Sequence, residues 1–184
     1  MNRIQKILLI GGNVSDFGEG MLGPLFAILT QKVGGDILEI SWASALYLFI
    51  VGSLTVLFGK LSDTWNKAWV MLAGYFLSAV FTFGYVFVST PTHLFIIQAG
   101  LGLATALALP TWNALYSENA HAKKHGTSWG LASGLHHIIG AISILTGGFI
   151  LSKLSFNVLF IIMGSVQTIA TLYQAKILWT KSST

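Results

Sequence analysis

The feature that most constrains the fold is a series of six apolar stretches, each long enough for a membrane-spanning helix, that fill nearly all of the 184 residues. A bilayer core about 30 Å thick is crossed by about 20 helical residues. Hydrophobic residues make up 54% of the chain and charged residues 9%, against about 25% charged in a soluble domain. The sequence therefore predicts an all-α membrane protein, a single domain over residues 1–184 with six transmembrane helices. The predicted helices are 4–29, 42–59, 68–88, 94–116, 127–151 and 158–179.

Basic residues are unevenly divided between the two ends of these predicted helices. Lysine and arginine are enriched on the cytoplasmic side of membrane proteins. The side that carries both termini has Arg3, Lys6, Lys60, Lys67, Lys123, Lys124, Lys176 and Lys181, and the other side has Lys32 and Lys153. We therefore expect an integral, multi-pass protein with both termini in the cytoplasm. The net charge of +4 is then a topology signal, and it gives no reason to expect nucleic-acid binding.

The sequence argues against metal, cofactor and enzyme chemistry. Cysteine is absent, which removes disulfides, thiolate metal ligands and thiol nucleophiles from consideration. His136 and His137 are adjacent and cannot chelate a metal as the i, i+4 pair of a metalloprotease helix does. No pattern typical of a serine nucleophile is present. We expect no metal site, no cofactor and no enzymatic activity.

Two carboxylates, Asp16 and Glu19, lie deep inside the first predicted helix. An ionisable side chain within a membrane is costly and usually marks a functional site. Residues three apart share a helix face, and a low dielectric together with mutual repulsion favours reversible protonation near neutral pH, as a proton-coupled site requires. The alternative is that one or both acids are hydrogen-bonded packing groups, or extend outward to the membrane surface.

Polar residues on two other predicted helices fall at the depth of Asp16. Counting about 1.5 Å per residue places Asp16 about 15 Å into the membrane, and His136, His137 and Gln167 reach a similar level. Adjacent residues lie about 100° apart around a helix, so we expect one histidine to face a cavity, where it could exchange protons or bind a carboxylate. A structural interhelical histidine is an equal alternative.

Further polar and aromatic residues are candidates for the walls of such a cavity. Gln98 and Asn113 join the predicted proton- or substrate-binding set, and Tyr47, Tyr75 and Trp112 are plausible lining residues, although each alone is more typical of packing. Aromatic residues gather at membrane interfaces. Trp42, Trp65 and Trp69 fit such a belt.

Glycine is concentrated in two of the predicted helices. The first contains Gly11, Gly12, Gly18, Gly20, Gly23 and Pro24, a composition that permits a local break, and interrupted helices often form transporter binding sites. The alternative is that this segment does not cross fully and the chain has five spans. The fifth carries Gly126, Gly130, Gly134, Gly140, Gly147 and Gly148, which predicts close helix packing.

The turn after the second predicted helix reads Gly-Lys-Leu-Ser-Asp-Thr-Trp-Asn-Lys-Ala over residues 59–68. It resembles the signature loop of the major facilitator superfamily, G-x-L-[A/S]-D-[R/K]-x-G-[R/K]-[R/K]. Gly59, Leu61, Ser62, Asp63 and Lys67 agree, whereas Thr64, Asn66 and Ala68 depart. The resemblance implies that Gly59, Asp63 and Lys67 form a conformational loop. Thr64 removes the positive charge that usually stands beside the aspartate.

The resemblance continues along the rest of the chain. Residues 98–118 are similar to the fourth helix of that family, and Thr146-Gly147-Gly148 is similar to the end of its antiporter motif. Ser143 and Ile144 stand where that motif has Gly-Pro, so antiport is not specifically indicated.

The family architecture implied by the resemblance has twelve helices in two parallel halves, each built from 3+3 inverted repeats. This chain covers the amino-terminal half. Pro24 and Pro110 each precede a leucine by five residues, a trace of the inner repeat. The resemblance implies a secondary active transporter of small molecules, and we expect a proton-coupled, half-size chain that works as a homodimer by alternating access. The alternative is a non-transporting scaffold or accessory membrane subunit that pairs with another half-size chain.

Overall fold

The computed structural model describes residues 1–120 and 125–180, and within those residues it is helical, with no strand. The helices are α1 Arg3–Gly20, α2 Leu25–Lys32, α3 Ile37–Ser62, α4 Lys67–Gly84, α5 Pro91–Glu118, α6 His125–Lys153 and α7 Phe156–Gln174. Short 3₁₀ turns extend α4 over Tyr85–Phe87 and α7 over Ala175–Trp179. Lys123, Lys124 and Lys181, which entered the orientation prediction, lie outside the described residues.

Five helices of the described chain are long and apolar enough to cross a membrane, against the six that the sequence predicts. They are Ile37–Ser62, Lys67–Phe87, Pro91–Glu118, His125–Lys153 and Phe156–Trp179. The first predicted span, residues 4–29, is instead divided into α1 and α2 by a turn at residues 21–24. Asn13, Ser15, Asp16 and Glu19 dilute the apolar character of α1, and Pro24 stands at the start of α2.

Side-chain caps explain where several of these helices begin. The Asp36 carboxylate accepts hydrogen bonds from the amides of Leu38 and Glu39, and the Glu39 carboxylate accepts one from the Asp36 amide. This reciprocal capping box fixes the start of α3. Asn66 caps α4 and Thr90 caps α5 in the same general way. The long helices therefore begin at positions that their local sequence sets.

The helices pack into a bundle with an apolar cluster at each end. α1 packs against α6 and α7, α5 packs against α3 and α4, and α4 also contacts α7. The proximal cluster, near both described termini, contains Ile4, Leu8, Met71, Tyr116 and Ile177. The distal cluster contains Met21, Leu94, Tyr85, Phe156 and Phe160. Both ends of the described chain, near residues 1 and 180, therefore lie at the proximal end of the bundle, and the acidic residues of α1 lie between the two clusters.

The break after α1 packs directly against α6. Ser143 donates a hydrogen bond to the carbonyl of Phe17, and a Cβ on Gly147 would collide with the backbone of Met21. In contrast, Gly126, Gly130, Gly134, Gly140 and Gly148 have no described atom within 4 Å of the position a Cβ would take. Gly147 makes the close approach that the sequence predicts for α6, and those five glycines face open space.

Two long helices are left mostly uncovered. Only Ala43 and Ser62 are buried in α3, and only Ala132, Ser143 and Gly147 are buried in α6. Because α3 packs beside α5 while α6 packs beside α1, these helices form two open flanks of the bundle.

Candidate functional site

A cavity of about 330 Å³ opens in the middle of the bundle, with walls from α1, α4, α5 and α6. We call it the first cavity. Its polar and aromatic walls include Asp16, Glu19, Tyr75, Trp112, Asn113 and His136. The cavity thus brings together residues separated by more than a hundred positions in the chain. It extends toward the proximal cluster, because Leu9 and Ala132 belong to both.

The central polar contact joins α1 to α6. Nδ1 of His136 lies 2.8 Å from Oδ2 of Asp16, within hydrogen-bond distance. The contact is an ion pair when the histidine is protonated and a neutral–charged hydrogen bond when it is not. The Asp16 side chain is 33% exposed and that of His136 is 61% exposed, so the pair lies on an open face of the single chain.

The neighbouring histidine is turned to a different partner. Nδ1 of His137 lies 2.7 Å from the carbonyl oxygen of Ser133 on its own helix. A carbonyl oxygen can only accept, so Nδ1 of His137 carries the proton and donates it. His136 and His137, which the sequence left undistinguished, therefore have different environments, and it is His136 that lines the first cavity.

A second cavity of about 240 Å³ lies on the other side of Glu19. Glu19 is in the wall of both cavities. Tyr47, Gln98 and Gln167 line the second one. It extends toward the distal cluster, to which Leu101 also belongs. The predicted site residues thus divide into two groups that meet at Glu19, with Asn113 and His136 in the first group and Gln98 and Gln167 in the second.

The two glutamines of the second cavity are held by hydroxyl groups from α4 and the 3₁₀ turn that follows it. The Gln167 side-chain oxygen accepts hydrogen bonds from Thr82 at 2.8 Å and from Ser78 at 3.3 Å. The Gln98 side-chain oxygen accepts one from the Tyr85 hydroxyl at 3.2 Å. These hydroxyl residues were not among the sequence candidates. Their recurrence along one face of an apolar helix is the signal that could have found them.

Aromatic rings form the proximal wall of the first cavity. Trp112 stacks on Tyr116 with ring centres 4.8 Å apart, and Trp129 meets Tyr116 edge-on at 5.3 Å. The indole N–H of Trp112 donates to the carbonyl of Leu8 at 3.2 Å, which fixes this wall to α1. Sequence reasoning included Trp112 and missed Trp129, which lines the cavity from α6.

The family to which this fold belongs follows from sequence comparison. The sequence profile of the Major Facilitator Superfamily matches residues 8–184. The chain belongs to the major facilitator superfamily.

Individual superfamily members are similar over most of the chain. The proton-coupled antiporter flippase LtaA of Staphylococcus saprophyticus is 24% identical over 149 residues, which cover 78% of this chain and 36% of that protein. The MFS-type transporter MJ1560 of Methanocaldococcus jannaschii is 24% identical over 94% of this chain and 45% of its own length. The multidrug resistance protein MdtG of Salmonella typhimurium is 22% identical over 93% of this chain and 43% of its own. The chain spans less than half the length of these relatives.

The signature loop of the superfamily lies between α3 and α4. Ser62 donates to the carbonyl of Gly59 at 2.7 Å, and Asp63 is exposed at the end of α3. Lys67 forms an ion pair of 3.1 Å with Glu118 at the end of α5. Thr64, at the position that carries a positive charge in the pattern, donates instead to the carbonyl of Leu61 at 3.0 Å. The loop therefore connects three helices at the proximal end.

At the level of the family, the chain is grouped with transporters rather than with enzymes. Within residues 1–120 and 125–180, no three histidine or acidic side chains are grouped so as to hold a metal ion. MdtG and MJ1560 are named for transport or drug resistance. The chain is an integral, multi-pass membrane protein.

Proposed function

We propose that this chain is a half-size secondary active transporter of small molecules, coupled to protons, that works by alternating access. Asp16 is the leading proton-binding group, with His136 and Glu19 as its partners. Gly59, Asp63 and Lys67 form the loop that responds to the conformational change. The observation that carries the proposal is the 2.8 Å contact between Asp16 and His136 in the wall of the first cavity.

Protonation of this contact offers a way to couple protons to helix movement. An ionised Asp16 attracts a protonated His136 and holds α1 against α6, whereas a protonated Asp16 keeps only a neutral hydrogen bond or none. A charged contact is stronger than a neutral one in a low-dielectric cavity, so a proton on Asp16 weakens the connection between these helices. The relative LtaA is named a proton-coupled antiporter flippase, which supports this kind of coupling.

The exposure of the Asp16–His136 contact supports a partner that completes the cavity. Asp16 and His136 are too polar to face acyl chains, yet both are exposed in the single chain. A second copy in the same membrane orientation, related by a twofold axis along the membrane normal, would cover this face with the same surface. We therefore propose a homodimer. We also propose that both termini lie in the cytoplasm, as the distribution of basic residues predicts.

The contacts between helices support the 3+3 inverted repeat and six membrane crossings. In this interpretation α1 and α2 together count as the first crossing, and α3 to α7 as the other five. An inverted repeat would match α1 with α5, α3 with α6, and α4 with α7. Under this matching, the contacts that α1 makes with α6 and α7 correspond to those that α5 makes with α3 and α4. The contact between α4 and α7 corresponds to itself, because these two helices are matched with each other. Such self-consistency is the pattern that an inverted repeat produces.

Infrared titration of the purified protein in lipid tests the proton-binding role without knowledge of the substrate. We expect a protonated-carboxyl band that grows reversibly as the pH is lowered. Asp16→Asn should remove or reduce this band, and Asp36→Asn, at the distal end of α3, should leave it unchanged. A wild-type protein whose carboxyl band does not change reversibly with pH, or a band unchanged in Asp16→Asn, would contradict the proposal.

Transport is tested on the same variants in proteoliposomes that contain a pH-sensitive dye. A panel of cationic, anionic and neutral solutes is added outside, and proton movement that depends on one of them identifies the substrate class. Asp16→Asn should abolish that movement and leave assembly intact. Native mass spectrometry from membranes then separates a homodimer from a monomer, and from a complex with a different chain, which is the accessory-subunit alternative.

A further inference from the structure

A row of hydroxyl groups runs along one face of α4 and its 3₁₀ extension. Tyr75, Ser78, Thr82 and Tyr85 are spaced by three, four and three residues, the spacing of one helix face. We call them the α4 polar stripe. Ser78 lines the first cavity, and Thr82 and Tyr85 line the second. The stripe therefore passes from one cavity to the other on the inner side of α1.

Two glutamines of α7 lie opposite this stripe, each against a glycine of α1. Gln167 is 1% exposed and Gln174 is 0% exposed, and they are seven residues apart. A Cβ on Gly18 would lie 3.0 Å from the Gln167 side chain, and one on Gly11 would collide with that of Gln174. Gly11 and Gly18 are also seven residues apart. The glycines thus allow α1 to pass closely over a buried column of amides.

The hydrogen-bonding capacity of this column is only partly used. In the described part of the chain, Nε2 of Gln167 is buried without a hydrogen-bond partner, whereas the Gln174 side chain lies beside the Tyr75 hydroxyl. Buried amides normally have partners, and where protein supplies none, ordered water does so. Apolar side chains would fill the same space at lower cost if the column served packing alone. The column is therefore suited to hold water.

Glu19 is where this polar interior meets the first cavity, since it lies in the walls of both cavities. The titratable groups around it are Asp16 on α1, His136 on α6, Tyr47 on α3, and Tyr75 and Tyr85 from the α4 stripe. From α5 and α7 the second cavity receives the neutral amides Gln98 and Gln167. Glu19 can therefore meet water from two sides of α1.

We propose that Glu19 has a second aqueous access, a water-filled route along Thr82, Gln167, Tyr85 and Gln98 that delivers water and protons from the distal end of the bundle. The route lies inside one chain and is separate from the first cavity. It deepens the proposed function, because it rests on Glu19 being part of a proton-coupled site. A proton could then reach Glu19 while a substrate occupies the first cavity.

Cysteine labelling tests for water in this route, and the chain contains no native cysteine. The thiolate is the reactive form and needs water to form. In proteoliposomes, Thr82→Cys and Gln98→Cys are exposed to 2-aminoethyl methanethiosulfonate, and the modified fraction is measured by intact mass. The control is Ser165→Cys, an exposed position on α7 whose hydroxyl bonds to its own helix.

We expect Thr82→Cys to react at least about tenfold faster than Ser165→Cys, because a thiol surrounded by lipid does not ionise. Adding Gln167→Leu should slow the labelling of Thr82→Cys and leave that of Gln98→Cys unchanged. Thr82→Cys reacting no faster than Ser165→Cys would overturn the route. This measurement does not depend on whether any carboxyl group titrates.

Proton delivery is measured with a pH jump outside sealed vesicles in which the distal end of the bundle faces the bath. This orientation is shown by a C-terminal tag that is protected from external protease, because the described carboxyl terminus lies at the proximal end. The infrared band lost in Glu19→Gln reports on Glu19. We expect Gln167→Leu and Thr82→Val to slow its change at least about tenfold, and Thr168→Val, which removes a hydroxyl bonded to its own helix, to match wild type. Equal rates in all variants would overturn the inference and leave the proposed function standing. A wild type without any titrating carboxyl band would overturn the proposed function instead.

Discussion

Adjacent histidines with different partners allow the acidic site to be tested at the scale of single residues. His136 contacts Asp16, whereas His137 donates to a carbonyl of its own helix. A hydrogen bond to a charged group contributes about 1.5–3 kcal/mol, so we expect His136→Ala to slow proton-coupled transport about tenfold or more. His137→Ala should stay within about twofold of wild type, because its Nδ1 bonds to its own helix and it does not line the first cavity. Solute-dependent proton flux in proteoliposomes measures both, and equal losses would contradict the role given to His136.

Two glycines of α6 predict opposite effects of the same substitution. A Cβ at position 147 would overlap the Met21 backbone, whereas one at 140 would meet open space. We expect Gly147→Ala to lower the free energy of unfolding by about 1–3 kcal/mol through overpacking. Gly140→Ala should be neutral or stabilising by up to about 1 kcal/mol, because alanine favours the helix. Thermal unfolding in detergent, followed by circular dichroism, compares the two.

What the sequence predicts about single residues depends on depth and on rotation around the helix axis. Depth follows from counting, and Asp16 and His136, placed at one level from the sequence, lie 2.8 Å apart in the structure. Rotation does not follow from counting. Gln98 and Gln167 therefore could not be assigned to the second cavity, and the hydroxyls of Ser78 and Thr82 gave no individual signal within an apolar helix.

At the scale of elements, the start of α4 is set by a residue that departs from the superfamily loop. Asn66 accepts hydrogen bonds from the amides of Ala68 at 3.1 Å and Trp69 at 3.4 Å. Removing such a cap in Asn66→Ala should cost about 1 kcal/mol, whereas Asn66→Gly, which restores the family pattern, should cost only a few tenths. Unfolding curves of the two variants in mixed micelles measure the difference. An equal loss of unfolding free energy in both variants would show that the hydrogen bonds to the Asn66 side chain do not stabilise the start of α4.

The distal end of α3 should depend on pH through its capping box. The hydrogen bond with the Glu39 side chain, together with those from the amides of Glu39 and Leu38, holds the pKa of Asp36 below its usual 3.8. A lowered folded-state pKa means that this stabilisation is present above the unfolded value and is lost as the pH falls through the folded value. We expect the protection of the Leu38 and Glu39 amides, which is the factor by which their exchange is slowed relative to that of an unfolded chain at the same pH, to fall below about pH 4. Asp36→Asn keeps a capping oxygen that does not titrate, so its exchange protection should not show this change.

The break in the first predicted span shows what composition can and cannot predict about an element. Glycines and Pro24 indicated an interruption, but they are spread from Gly11 to Pro24 and do not place it. The position of the turn follows from long-range contacts, in which Ser143 bonds to Phe17 and Gly147 admits Met21. Neighbours more than a hundred residues away carry that information, and local sequence does not.

At the scale of the whole molecule, the bundle consists of two apolar ends and a polar middle layer that is open on one side. The proximal and distal clusters stabilise the ends, and Asp16, Glu19 and His136 lie between them. An open polar layer cannot remain in contact with lipid. In the proposed homodimer a second copy would cover this layer, and α3 and α6, the two open flanks, would be the elements in contact with it.

In the proposed homodimer, a twofold axis in front of the cavity, along the membrane normal, would exchange the two flanks, so that α6 of one copy would meet α3 of the other. Gly52 on α3 and Gly134 on α6 both face open space. They lie at matching depths, about 14 Å from the proximal ends of their helices. We expect the double variant Gly52→Cys/Gly134→Cys to form a disulfide-linked dimer in membranes, because small residues at both positions let the two helices approach closely and a disulfide spans about 4.4–6.8 Å between Cα atoms.

Each single variant is the matched control, since one cysteine on one flank would face a helix without a thiol. Gly134→Leu extends the test, because a bulky side chain on the flank should keep the two copies apart and abolish solute-dependent proton flux while the monomer stays folded. Linked dimers from the single variants would indicate a different axis, with like flanks in contact. A double variant that stays monomeric in the membrane would contradict the homodimer, and the open polar layer would then need a different chain to cover it.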